Sequence, residues 1–203
     1  MSAGMGSRST TRNPADEAAF GRALDAARSG QAIGFEWLWH RFSRQVTAFA
    51  RLQGSDDADG VANDVFAAAF GRIATFTGDS SAFVSFVFSI ARNKISDERR
   101  KRRRRVVTSV FDRASTDRTS VDTGTAANSA EADALAGLTP ETADALRRLT
   151  ADQREIVFLR LVADLPIQEV AALTGRSLGA VKAMQHRALA TMRKEILREA
   201  VSK

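Results

Sequence analysis

Apolar residues recur along most of this chain with the spacing of an α-helix. The clearest stripe lies at offsets 0, 3, 4, 7, 11 and 14 and consists of Phe35, Leu38, Trp39, Phe42, Val46 and Phe49. Asp16 to Ser29 and the segment that starts at Val61 follow the same period. No segment shows the strict alternation of a half-buried strand. The pattern therefore predicts an all-α fold.

One stretch combines an apolar helix face with a dense run of cations. Phe83, Phe86, Val87 and Ile90 share a face, and no Pro or Gly interrupts the chain from Phe83 to Arg105. Residues 92–105 hold nine Lys/Arg against two acids, whereas residues 1–91 carry a net charge of −1 and residues 106–203 a net charge of zero. The local excess indicates a polyanion partner. A solvated helix end is the alternative.

Composition divides the chain into two small helical domains and a linker. Residues 1–15 are small and polar, which predicts disorder, and residues 16–105 predict a Phe-rich helical bundle. Residues 106–137 are rich in Thr, Ser, Asp and Ala without periodicity, and we expect a flexible linker there. Residues 138–203 predict a second domain, in which Pro140 opens the first helix and Thr150 with Gln153 forms a capping box.

Residues 165–189 have the pattern of a helix-turn-helix. A short helix begins near Pro166, Gly175 ends it in a left-handed turn and Ser177 caps the next helix. Apolar residues predict the inner face of this longer helix, namely Leu178, Val181, Ala188 and Met192. The polar residues around it are of the kinds that hold phosphates or read base edges: Arg176, Ser177, Lys182, Gln185, His186 and Arg187. An ordinary helical hairpin would show a similar pattern.

Together the two domains resemble the small, two-domain extracytoplasmic-function (ECF) sigma factors of bacterial RNA polymerase. The resemblance rests on three segments in order, which are FEWLWHRFSRQVTAFARLQGSDDADGVANDVFAAAF, FVSFVFSIARNKISDERRKRRRR and LTADQREIVFLRLVADLPIQEVAALTGRSLGAVKAMQHRAL. Phe86 stands where the family usually has Trp. Ala180 replaces a frequent Thr, and Ala183-Met184 replace a Ser-Arg pair.

The resemblance implies three sets of contact residues. Core polymerase would be bound by Val61, Asp64, Val65, Phe66 and Phe70. The single-stranded −10 element would be bound by Arg92, Asn93, Lys94, Arg99 and Arg100, with the loop Thr75–Ser81 capturing a flipped base. The duplex −35 element would be bound by Arg176, Ser177, Lys182, Gln185, His186 and Arg187. The family also implies an anti-sigma factor as a partner and a cytoplasmic location.

Other classes of protein fit the sequence less well. The absence of Cys excludes disulfides, thiol catalysis and Cys-based zinc sites, and we expect no cofactor or metal. No apolar run reaches 18 residues, so we also expect no membrane insertion. A metal-dependent nuclease would need Asp56, Asp57, Asp59 and Asp64 to converge on one point, but acids at a helix start also serve as caps; we expect no enzyme. A stand-alone helix-turn-helix repressor or activator leaves the first domain without a task.

Overall fold

The computed structural model describes residues 13–112 and 140–201, and all regular structure in those ranges is helical. Eight α-helices are present in these ranges, together with one 3₁₀ turn at Ile73–Thr75. They are α1 Pro14–Arg28, α2 Ala32–Leu52, α3 Ala58–Phe70, α4 Ser80–Asp112, α5 Pro140–Arg147, α6 Ala151–Leu161, α7 Ile167–Thr174 and α8 Leu178–Val201. The all-α prediction is confirmed.

The first two helices pack closely along their length. Asn13 caps α1 by accepting a hydrogen bond from the Ala15 N–H at 3.1 Å, so the helix begins at Pro14, inside the segment predicted to be disordered. A Cβ on Gly34 would lie 2.3 Å from the Ala27 nitrogen and 2.5 Å from the Ala23 oxygen. The two helices therefore need a residue without a side chain at this crossing. Residues 1–12 lie outside the described ranges.

The predicted stripe of α2 forms the centre of the N-terminal core. Leu38, Phe42, Val46 and Phe49 are buried, and Phe35 and Trp39 are partly covered. Phe66 on α3 packs edge-on against Trp39, with ring centroids 5.0 Å apart. Phe66 is 1% exposed. The ring lies at the α2–α3 contact, which the period of α3 alone does not reveal.

Helix α4 continues farther than its sequence pattern indicated. It begins at Ser80 and ends at Asp112, seven residues beyond the predicted end at Arg105. No Gly or Pro lies between Arg105 and Asp112 to stop the helix. The first part of the predicted linker is thus helical, and its residues 113–137 lie outside the described ranges.

The C-terminal helices follow their local sequence signals. The Thr150–Gln153 capping box is present, Gly175 has a left-handed φ of 66°, and Ser177 accepts a hydrogen bond from the Ala180 N–H at 3.2 Å. Val181, Ala188 and Met192 are buried as predicted. Leu178 is 38% exposed, so its predicted place on the inner face was wrong, because the cover from neighbouring helices begins at Val181.

Helix α6 belongs to two hydrophobic clusters at once. Its Val157 packs with α5 and α8 in the smaller cluster. Its Phe158 packs with the N-terminal helices in the larger one, with ring centroids 5.4 Å from Phe49 and 5.9 Å from Phe88. The N-terminal and C-terminal helices therefore share a core in this structure, while their division into two independently folding domains stays a prediction.

Candidate nucleic-acid interface

The helix-turn-helix turns polar side chains away from its core. Buried Val181, Ala188 and Met192 fix one side of α8 against its neighbours, because residues seven and eleven positions apart lie on one helix face. The side chains predicted to read DNA consequently lie at or near the surface: Ser177, Lys182, His186 and Arg187 are exposed, and Gln185 is half-buried. Lys182 and His186, one turn apart, form a polar strip on α8.

Two further features of this surface affect its chemistry. Arg176 is tied to the adjacent helix by a salt bridge of 2.6 Å to Asp152. Ala180 and Ala183 are exposed on the first turns of α8, so methyl groups occupy positions where the family often has Thr and Ser. Apolar methyl groups contact the thymine methyl rather than accept or donate hydrogen bonds. This surface can therefore combine a few polar contacts with apolar ones.

The −10 residues on α4 divide into exposed and engaged members. Asn93 is exposed, and Arg100 is exposed with only a 3.6 Å contact to Asp97, three residues earlier. Lys94 Nζ lies 2.9 Å from Asp64 Oδ2, so a predicted DNA contact and a predicted polymerase contact pair with each other. Both side chains of that pair are largely exposed, and such pairs contribute little to stability.

Arg99 holds α4 against the end of α2. Its guanidinium donates to the backbone oxygen of Gln53 and, at 3.0 Å, to the Gln53 Oε1. Gln53 is 8% exposed, and its Nε2 has no hydrogen-bond partner among the residues that the structure describes. The sequence showed the cation but not this buried amide, which lies 46 residues away.

Glu98 and Arg102 attach the basic part of α4 to the loop before α3. Arg102 contacts Asp56 at 2.6 Å and Glu98 at 3.3 Å, and Glu98 accepts hydrogen bonds from the Ser55 Oγ at 2.6 Å and the Asp56 N–H at 2.9 Å. Burial acts to raise the pKa of Glu98, but the hydrogen bonds from Ser55 and Asp56 and the nearby Arg102 outweigh it and lower the pKa below its ordinary 4.5.

Arg92 faces the C-terminal helices. Its Nε lies 2.6 Å from Glu155 Oε1, and its Nη1 donates to the backbone oxygen of Leu173 at the end of α7. Glu155 is 9% exposed, and sequence reasoning missed it. The available signal was its position three residues before Phe158, which places both side chains on one face of α6.

The predicted polymerase-binding residues of α3 also divide by burial. Val65 and Phe66 are buried, Val61 and Phe70 are half-buried, and Asp64 is exposed. Phe70 packs edge-on against Phe35 at 5.0 Å. On the neighbouring side of α3, an open groove of about 560 Å³ runs between α2 and α3 and includes Trp39 and Asn63. Of the five residues predicted to bind polymerase, Asp64 is therefore the exposed one, and Val61 and Phe70 are partly exposed.

The four aspartates around the start of α3 each have a separate partner. Asp57 caps the helix through the Gly60 N–H at 2.9 Å, Asp59 contacts Arg51 at 2.8 Å, and Asp56 and Asp64 pair with cations of α4. They do not converge as two-metal catalysis requires. Among the described residues, no group of three or more His, Cys, Asp or Glu could hold a metal ion, and no helix there is long and apolar enough to cross a membrane.

Comparisons with known proteins match two separate segments of the chain. Residues 38–105 match the family Sigma-70 region 2, and residues 140–192 match Sigma-70, region 4. The chain is 30% identical over 187 residues to the ECF RNA polymerase sigma factor BldN of Streptomyces coelicolor, covering 89% of this chain and 68% of BldN. It is 34% identical over 145 residues to the ECF RNA polymerase sigma factor SigD of Mycobacterium tuberculosis, covering 69% of this chain and 63% of SigD.

A solved structure gives the same result. The co-crystal structure of the sigma factor RpoE with the anti-sigma factor NepR from Bartonella quintana superposes with a TM-score of 0.57 at 25% identity, covering 80% of this chain and 96% of that one. Both conserved regions, the order of the motifs and the fold thus agree, and the chain belongs to the ECF sigma factors of RNA polymerase.

Proposed function

We propose that this sigma factor directs core RNA polymerase to promoters by reading the −35 element as duplex through α8 and holding the −10 strand on α4. The observation that carries the proposal is the outward face of α8. Lys182, His186 and Arg187 are exposed there while the opposite face is buried. A helix of this kind, preceded by a short helix and a tight turn, can enter the major groove with its N-terminal half.

The −10 strand requires cations for its phosphates and flat or apolar surfaces for its unstacked bases. Arg100 supplies an exposed cation and Asn93 an exposed amide for base edges. Phe76 lies in the loop before α4 and stacks with Phe86 at 5.6 Å. Flipping a base costs a few kcal/mol, which contacts in this loop would have to offset. Arg99 supports this surface by fixing α4 to α2.

Core polymerase is bound, in this proposal, through α3. Asp64 offers an exposed charge, and Val61 and Phe70 offer partly exposed apolar edges. Val65 and Phe66 contribute indirectly, because their burial fixes the orientation of α3 against α2 and α4. The contact would displace Lys94 from Asp64, at little cost since both side chains are exposed.

The protein would act in the cytoplasm and carry out no chemical step itself, since catalysis belongs to the polymerase. The separate pairing of the four aspartates argues against a nuclease. A stand-alone repressor or activator is not favoured, because the N-terminal helices match Sigma-70 region 2. We also propose that an anti-sigma factor binds this chain, by analogy with the complex in which the Bartonella quintana relative was solved.

Run-off transcription with core polymerase on a promoter library tests the proposal. We expect transcripts from one promoter class, and duplex binding by the chain alone that is much weaker than binding by the holoenzyme. Arg100→Ala should slow open-complex formation and reduce its salt dependence, whereas Arg22→Ala, an exposed arginine on α1, should not. Absence of both promoter-specific transcripts and core binding would overturn the proposal; tight duplex binding without polymerase would favour the stand-alone regulator.

A further inference from the structure

Helix α1 is attached to both ends of the loop before α4. Glu17 contacts Ser80, where α4 begins, and Arg28 contacts Phe76, which follows the 3₁₀ turn. We propose that Glu17 and Arg28 are positioning residues for capture of the −10 strand, because they fix this loop in the conformation that receives an unstacked base. We call these two attachments the α1 clamp. The inference rests on the proposed function for its consequence, whereas the α1 clamp itself can be tested on the free chain.

Glu17 fixes the end of the loop. Its Oε1 accepts a hydrogen bond from the Ser80 N–H at 2.8 Å, and its Oε2 accepts one from the Ser80 Oγ. Ser80 is 7% exposed, and the first N–H groups of a helix have no partner within the helix. The helix dipole also favours a carboxylate at this end. Asp79 caps the same turn through the Ala82 N–H at 2.8 Å, so Glu17 and Asp79 together set the point at which α4 begins.

Arg28 fixes the beginning of the loop from the last turn of α1. Its guanidinium donates to the backbone oxygen of Phe76 and contacts Asp25 Oδ1 at 3.4 Å. Because the acceptor on Phe76 is a backbone atom, this hydrogen bond orients the chain itself rather than one side chain. Residues 17 and 28 are eleven positions apart, which places them on one face of α1 and about 16 Å apart along its axis. One helix face therefore holds the loop at two separate points.

Between the two attachments the loop turns sharply and stays open to solvent. Residues 77–79 are exposed. Gly78 has a φ of 146°, and a Cβ there would lie 2.7 Å from the Ala82 Cβ, so this turn requires glycine. The Phe76 ring is half-buried beside the turn and stacks with Phe86. An exposed segment with fixed ends and an aromatic ring at its side is a surface on which an unstacked base can rest.

Helix α1 is itself held by the N-terminal core. Phe20 lies between the two clamp residues in sequence, is 2% exposed and packs against Phe83 with ring centroids 5.6 Å apart. The Phe76 ring packs edge-on against the same Phe83 at 5.5 Å. On the other side of α1, Gly34 permits the close crossing with α2. The α1 clamp thus connects the loop to a part of the molecule that the core keeps in place.

The two clamp residues act through the loop rather than by touching DNA. Phosphates would repel the Glu17 carboxylate, and both of its oxygens are directed at Ser80. The Arg28 donor is directed at the loop backbone. A loop that is ordered before the strand arrives loses little conformational entropy on binding, which leaves more of the binding energy to offset base flipping. Helix α1, which precedes the segment matched to Sigma-70 region 2, thereby becomes part of the −10 surface.

Amide hydrogen exchange, followed by NMR on the full chain, tests the α1 clamp. Glu17→Gln keeps the size of the side chain but removes the charge that accepts two hydrogen bonds, so the Ser80 amide should exchange about tenfold faster or more. Asp16→Asn, at an exposed neighbouring position on α1, is the matched control and should leave this rate unchanged. An unchanged Ser80 rate in Glu17→Gln, or an equal increase for amides throughout α2 and α4, would overturn the clamp.

Open-complex formation by the holoenzyme, on a promoter selected by run-off transcription, tests the role in strand capture. Glu17→Gln and Arg28→Ala should slow it by roughly tenfold, because a misplaced loop no longer holds the base in the productive geometry. Asp16→Asn and Arg22→Ala, at exposed positions of α1, should not slow it. Arg28→Lys keeps a donor and should recover part of the rate. Binding to the −35 duplex and to core polymerase should be equal in all these variants.

An abasic nucleotide, placed at each −10 position in turn on a pre-melted template, separates positioning from a folding defect. At the position of the flipped base there is then no base to receive, so the unmodified chain and Glu17→Gln should form open complexes at the same rate. A defect of equal size on normal and abasic templates would overturn the positioning role, as would a normal rate in both clamp variants. Lack of any promoter-specific transcript would overturn the proposed function and with it strand capture, while the exchange rates would still decide whether the α1 clamp exists.

Discussion

The two surfaces proposed to bind DNA differ in how the rest of the chain treats them. On α8, Lys182, His186 and Arg187 extend into solvent from a helix whose other side is buried. On α4, Arg92 contacts Glu155, Arg99 contacts Gln53 and Lys94 contacts Asp64. Three of the four cations predicted to bind the −10 strand are thus engaged by protein groups and Arg100 is exposed, whereas on α8 Lys182 and Arg187 are both exposed.

The difference follows from what each surface has to bind. A duplex presents its grooves and phosphates without rearrangement, so a recognition helix can remain exposed. A single strand appears only after melting, and a permanently open surface of cations and aromatic rings would bind any single-stranded nucleic acid. The internal contacts of Arg92, Lys94 and Arg99 leave fewer cations available for such binding, while Asn93 and Arg100 remain exposed.

The largest expected effect concerns the Phe158 ring, where α6 packs against α2 and α4. Phe158→Ala should reduce the free energy of unfolding by about 3–5 kcal/mol, because it removes a buried ring between Phe49 and Phe88. Leu161→Ala, on the same helix but 57% exposed, should change it by less than about 0.5 kcal/mol. Urea denaturation compares the two variants. Equal, small losses would show that α6 does not pack against the N-terminal helices.

The next effect separates two neighbouring cations of α4. Arg92→Ala should lower the free energy of unfolding by about 2 kcal/mol or more, since Glu155 is left buried without a counter-charge. Lys94→Ala breaks only an exposed pair and should cost at most about 1 kcal/mol. Denaturation curves of the purified variants measure both. A larger loss of unfolding free energy for Lys94→Ala than for Arg92→Ala would contradict the assigned pairing of Arg92 with Glu155.

A smaller effect is expected on the open surface. Lys182→Ala should weaken binding of the holoenzyme to the −35 duplex similarly for all sequences, and should reduce the slope of log affinity against log salt by about 1. Stability should be unchanged, because the side chain is exposed. Lys194→Ala, farther along α8, provides the control in a salt titration by fluorescence anisotropy. Equal slopes for the two variants would place the DNA elsewhere on the helix.

The smallest effect is a pH dependence at the junction of α4 with the loop before α3. The pKa of Glu98 is lowered below 4.5 in the folded chain, so its ionised form stabilises the fold above that pH and the contribution is lost as pH falls through the lowered value. The stability advantage over Glu98→Gln should therefore shrink only below about pH 4.5. Thermal unfolding of both proteins at several pH values measures this stability difference. A difference of more than about 1 kcal/mol would contradict the account, because the Glu98–Arg102 pair is partly exposed.

Local rules explain which features the sequence could predict. The capping box at Thr150, the left-handed Gly175 and the Ser177 cap each depend on a few neighbouring residues. The buried face of α8 follows from the helical period alone. These signals are sufficient to place Lys182, His186 and Arg187 on the exposed side of α8, while their contact with the −35 element stays a prediction.

The features that escaped prediction depend on contacts between distant segments. Arg92 meets Glu155 across 63 residues, and Arg99 meets Gln53 across 46. Phe66 is buried because Trp39 of another helix covers it. A cation on a helix has the same pattern whether it faces phosphate or a carboxylate, so only the packing of helices distinguishes the two.

The most direct test of the proposed function is the distance between spin labels at Gln31→Cys and Lys194→Cys, two exposed positions in a chain without other Cys, measured in two states by double electron–electron resonance. In the free chain we expect a single short distance, set by the packing of Phe158 against Phe49 and Phe88. In a complex with core polymerase and promoter DNA we expect it to increase by tens of ångströms, because the two promoter elements lie about 70 Å apart. A free chain that already shows the long distance would contradict the account.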